Sequence, residues 1–104
     1  MQINSPASPL EERLDWLESV GGARAWHKFM GAKIGIGPYA GQYPTGVRHL
    51  PEVEALLVEL LDGLRNGMVV PMIDVNAYYR AGKRWPYGMR FEGSELVAVW
   101  DEPA

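Results

Sequence analysis

The sequence predicts an α+β fold, with two to three helices packed on a small antiparallel sheet of three to four strands. Three observations carry that expectation. Residues 53–64 hold an apolar stripe at helical spacing. Residues 68–101 are rich in β-branched and aromatic residues and are broken by turn signals. The chain has 104 residues and is 47% hydrophobic, enough to bury about two-thirds of its unfolded surface around one core. A single domain over 1–104 follows, with the polar, Pro6-bearing residues 1–7 as a loose arm.

The first helix begins at Ser8-Pro9-Leu10-Glu11. Serine accepts from open backbone N–H groups, proline fits the first turn, and Glu11 can reach back. Leu10, Leu14 and Leu17 follow at helical spacing, and Gly21-Gly22 ends the run. Ala23–Met30 is a second, shorter helix with Trp26, Phe29 and Met30 on one face. Residues 31–50 are interrupted by five glycines and two prolines and read as a long loop, with a short strand at Lys33–Ile36.

Pro51 to Arg65 is the clearest element. Val53, Leu56, Leu57, Leu60, Leu61 and Leu64 occupy i, i+3, i+4, i+7, i+8 and i+11, and Asn66-Gly67 suits the C-terminal cap. Met68–Tyr79 reads as a strand, Ala81-Gly82-Lys83 as a turn, and Trp85–Phe91 as a second strand kinked by Pro86 and Gly88. Glu92-Gly93-Ser94 is a tight turn, and Glu95–Asp101 alternates with Leu96, Ala98 and Trp100 on one side.

Absent residues exclude whole classes of chemistry. Without cysteine there is no disulfide, thiolate nucleophile or thiolate metal site, and a reducing cytoplasm is the expected location. The first residues lack a basic start followed by an apolar run, so no signal peptide is expected. No apolar stretch approaches the ~20 residues of a membrane span. Gly35–Gly41 lacks the Gly-Lys-Ser/Thr ending of a phosphate loop. His27 and His49 form no ligand pair, and no Gly-x-Ser-x-Gly elbow occurs. No cofactor or metal is therefore expected. In a winged-helix reading the reader helix would carry Glu52, Glu54, Glu59 and Asp62 against phosphate, which repels it.

Charge is distributed unevenly. Net charge is only −3, yet residues 19–51 and 75–91 contain no Asp or Glu. Those two segments hold Arg24, Lys28, Lys33 and Arg48, then Arg80, Lys83, Arg84 and Arg90. They also hold nine of the eleven aromatic residues, all but Trp16 and Trp100. The clustering predicts a non-catalytic binding module. Its face would join Tyr39 and Tyr43 of the loop to Tyr79, Arg80, Lys83, Arg84, Trp85 and Arg90 of a hairpin. The partner would be a protein or an anionic ligand such as a nucleotide.

A nucleic-acid binder using the same basic hairpin is the first alternative. A small enzyme with Asp74 or a histidine as base is the second, although Asp74 equally suits a salt bridge to Arg80 or Arg90. The bland reading makes the rings sheet and core residues and the cations solvated. Exposed sheet edges would allow a homodimer. Short chains of this type are often accessory or inhibitor proteins of phage or mobile elements, an expectation from size and not from any residue. The binding-face reading makes a geometric demand: the loop and the second segment must lie on the same side of the fold.

Overall fold

The computed structural model describes residues 8–101. The arm expected over residues 1–7 lies outside them. Among the described residues the chain is α+β, with four helices and two small antiparallel sheets of two strands each.

Helix α1 spans Pro9–Met30. The Glu11 N–H donates to Ser8 Oγ at 3.1 Å, so the serine caps it. Its course is not straight. Gly22 has φ 73 and ψ −173, a conformation open to glycine and strained for other residues. The helix is therefore two segments meeting at the glycine pair, which is the break the sequence predicts. Strand β1, Lys33–Ile34, follows and is shorter than expected. Within the long loop, Pro44–Val47 forms a one-turn helix, α2, that no periodicity announces.

Helix α3 spans Pro51–Arg65, with Leu50 at its N-cap position. Val53, Leu57, Leu60, Leu61 and Leu64 are buried, and they face Leu10, Leu14, Leu17, Phe29 and Met30 of α1 in one apolar cluster. Burial of several such side chains, at roughly 1.5–3 kcal/mol each, is the main force on this pair of helices. Arg13 Nε donates to Asp62 Oδ1 at 3.0 Å across their edge. That hydrogen bond holds the guanidinium above its already high ordinary value.

The C-terminal third departs from expectation. Only Met72–Ile73 of the run 68–79 is strand, β2, paired antiparallel with β1 through Lys33↔Ile73 and Ile34↔Met72. Val75–Arg80 is a helix, α4. Two local features override the β-propensity of Val75, Tyr78 and Tyr79. Pro71 has no N–H to extend a ladder. Asp74 then caps the next turn, its Oδ1 accepting from the Ala77 N–H at 3.1 Å. The expected turn at Ala81-Gly82-Lys83 is consequently no hairpin tip. It is the end of α4, closed by the Lys83 N–H donating to the Tyr78 carbonyl at 2.9 Å, with Gly82 and Lys83 both at φ 69.

The hairpin lies further on. β3 (Gly88–Glu92) pairs with β4 (Glu95–Val99) across a tight turn at Gly93-Ser94. Among the described residues no sheet reaches the three strands expected, because an isolated bridge at Val70 is what joins the two pairs. The Val70 N–H and carbonyl exchange bonds of 2.9 and 3.0 Å with Met89. At that joint a Cβ on Gly88 would stand 2.3 Å from the Val70 carbonyl oxygen, so the approach requires glycine. The hairpin packs on α1, with Trp16 edge-on to Phe91 at 5.7 Å and Lys28 Nζ donating to the Leu96 carbonyl at 2.9 Å. Leu96 is buried as the alternation predicts, and Ala98 and Trp100 are half-buried. No helix among the described residues is long and apolar enough to cross a membrane.

Candidate functional site

The β1–β2 pairing brings the glycine-rich loop beside the second basic segment. Lys33 on β1 lies opposite Ile73, two residues before α4 begins. The loop then doubles back: the Ile34 N–H donates to the Gln42 carbonyl at 2.9 Å, and the Gly41 N–H donates to the Ile34 carbonyl at 2.7 Å. That return sets Tyr43 next to Lys33.

Lys33 Nζ stands 5.8 Å from the centre of the Tyr43 ring and 5.9 Å from that of Trp85. Both distances lie within cation–π reach. Trp85 stacks on Tyr78 with centroids 3.8 Å apart and planes 29° apart, and Tyr79 meets Tyr78 edge-on at 5.1 Å. The rings are not hidden. Tyr43 is 43%, Trp85 53% and Tyr79 64% exposed. Rings on the surface in mutual contact, joined by one cation, form an amphipathic patch of the kind that anchors interfaces.

Three of the eight residues expected at the face, Tyr43, Tyr79 and Trp85, belong to this patch. The other five make no ring or cation–π contact with it among the described residues, although the Lys83 backbone N–H donates to the Tyr78 carbonyl. Tyr39 donates to Glu52 Oε1 of α3 at 2.5 Å and lines a different hollow with Ile36 and Leu56. That bond raises the Tyr39 phenol and lowers the Glu52 carboxyl from their ordinary values. Arg90 pairs with Glu92 on its own strand at 3.1 Å. Arg84 covers the Trp100 ring at 5.2 Å and pairs with Asp101 at 3.2 Å. Lys83 is exposed at the end of α4.

Arg80 turns away from the rings. Residues 76 and 80 lie one helical turn apart, whereas 78 is on the opposite side of α4. Its guanidinium is 3.9 Å from Asp74 Oδ2. Lys33 and Tyr78 join the patch without being among the residues expected at the face. The available signal was that both fall within the acid-free, ring-rich segments.

The remaining chemistry is sparse. Asp74 is 6% exposed and its Oδ1 is occupied by the helix cap, so its position is explained without a proton-transfer role. His27 and His49 are exposed on separate elements. No group of three or more metal-ligating side chains occurs among the described residues. No protein-family model, curated protein or solved structure matches the chain.

Proposed function

We propose that this chain is a non-catalytic protein-binding module whose contact face is the patch of Tyr43, Lys33, Trp85, Tyr78 and Tyr79. The observation that carries the reading is the position of Lys33, within 6 Å of rings from both acid-free segments. Exposed Trp and Tyr supply large contact area at low conformational cost, and their burial dominates many interfaces. The lysine favours a partner that presents a carboxylate beside apolar side chains.

A protein fits better than a nucleic-acid strand. Stacking platforms for single strands combine rings with a track of cations along the backbone. Here Lys33 is the cation the rings engage, while Arg84 and Arg90 are tied to carboxylates and Arg80 faces away. An accessory or inhibitor role, including one in a phage or mobile element, would use such a face, and it belongs to this proposal.

The test places a photo-crosslinking amino acid at position 85, at 43, and at Met68, which is exposed on a separate surface. After irradiation in the native host, protein adducts of one mass should form at 85 and 43 and not at 68. Nuclease-sensitive adducts would transfer the face to nucleic acid. Equal adducts at all three positions would end the reading.

A further inference from the structure

A second surface lies on the opposite side of α4. Arg24, His27 and Lys28 project from one face of α1 at i, i+3 and i+4, and Asn76 and Arg80 from one side of α4 at i and i+4. Together with Ala23, Gly31 and Asp74 they line an open hollow of about 370 Å³. We propose that this cavity binds the phosphate of a nucleoside monophosphate. The inference is independent of the aromatic patch and uses none of its residues.

Charge matching is the first argument. Arg24, Lys28 and Arg80 carry three positive charges, and Asp74 is the one carboxylate lining the cavity. The balance is complementary to a phosphomonoester, which carries about −1.5 to −2 near neutrality. Asp74 repels an incoming anion less than its position suggests, because its Oδ1 accepts from the Ala77 N–H and its Oδ2 faces Arg80. Among the described residues, neither Arg24 nor Lys28 has a carboxylate within ion-pairing distance, so their charge is available to a ligand.

Pre-organisation is the second. Lys28 is half-buried and tied through Nζ to the Leu96 carbonyl at 2.9 Å, which leaves two N–H donors on a positioned ammonium. Arg80 stands 3.9 Å from Asp74 Oδ2, close enough for attraction but longer than a hydrogen bond. Donors fixed before binding lose less freedom on meeting an anion.

The adjoining space defines the rest of the ligand. Lys28 and Arg80 are also walls of a neighbouring cavity of about 490 Å³, lined further by Arg84, Glu95, Val97, Ala98 and Trp100. Its lining is mixed: Val97, Ala98 and Trp100 offer contact to a planar organic group beside the charged side chains, and Glu95 offers an acceptor for hydroxyl or amino donors. A phosphate in the first cavity, with a sugar and base in the second, uses both.

Calorimetric titration of the full chain at low salt tests this with four probes: a set of nucleoside 5′-monophosphates, the matching nucleosides, inorganic phosphate and a phosphoserine peptide. A monophosphate should bind more tightly than inorganic phosphate, and the nucleosides should not bind. Arg24→Gln, at an exposed residue, should weaken the monophosphate about tenfold, as expected for loss of one charge-assisted contact. Trp85→Ala should leave that affinity unchanged while removing the crosslink formed at position 43. The inference falls if no monophosphate binds at millimolar concentration, if Arg24→Gln has no effect, or if inorganic phosphate binds equally well. Tighter binding of the phosphopeptide would assign the site to a modified protein instead and overturn it as well.

Discussion

Helices α3 and α4 are both one-sided, but they are held by different forces. α3 buries five aliphatic side chains in the centre of the molecule, and its boundaries follow from their spacing. α4 buries one, Ala77, and begins because a single carboxylate caps it. A helix held by burial is part of the global folding unit. A helix held by a cap can open by itself. The proposed functional surfaces sit on the second kind, which carries Tyr78 on one side and Asn76 and Arg80 on the other.

The largest effect should come from α3. Leu61 is fully buried, and Leu61→Ala should cost about 2–5 kcal/mol, the usual range for a leucine truncated in a packed core. Denaturant unfolding would measure it. Amide exchange should accelerate throughout α1 and α3 together, because the two helices share one cluster. Acceleration confined to α3 would mean that the two helices do not open as one unit.

The two helices also differ in how far the sequence reveals them. The stripe of α3 repeats three times within its length, so its limits are legible to the residue. α1 is legible for the same reason, and the break at Gly22 is marked by two adjacent glycines. α4 has six residues, too few for a period to repeat, and Val75, Tyr78 and Tyr79 favour a strand by propensity. The decisive residue, Asp74, reads as a salt-bridge anchor, which it partly is, and its cap becomes visible only once its side chain is seen to accept from Ala77.

The same contrast applies to the candidate site. Tyr43, Tyr79 and Trp85 are selected by local composition. Lys33 requires the β1–β2 pairing, a long-range contact that composition does not encode. Composition groups Tyr39 with these rings, whereas its hydroxyl is engaged by Glu52 of α3, a residue thirteen positions away. Arg80 lies apart from Tyr78 because a residue on a strand and one on a helix point differently.

A smaller effect should come from the cap. Asp74→Ala removes the acceptor of the Ala77 N–H and should cost about 1 kcal/mol, typical of a lost N-cap. Exchange of the α4 amides and the near-ultraviolet signal of the Tyr78–Trp85 stack should change, while α3 stays protected. Asp74→Asn keeps an oxygen acceptor and should restore most of the helix. If Asp74→Ala instead loosens α3 as much as Leu61→Ala does, α4 belongs to the global unit and the distinction fails.

The smallest effect concerns the contact that carries Tyr39 away from the patch. Tyr39 donates to Glu52 at the start of α3, and each partner's proton affinity moves to suit that bond. The Glu52 carboxyl is lowered from 4.5, so the bond stabilises the fold above that ordinary value and fades as pH falls through the folded value. The Tyr39 phenol is raised from 10.0, so its contribution is complete below that value and fades as pH rises through the folded one. Wild type and Tyr39→Phe should therefore differ most in melting temperature across the middle of that window and converge beyond both ends. The difference should be small, because both side chains meet solvent. A constant offset at every pH would mean that the hydroxyl acts through packing and not through the bond. Loss of crosslinking at position 43 in Tyr39→Phe would return Tyr39 to the aromatic face, since that phenol would then be orienting the loop that carries Tyr43.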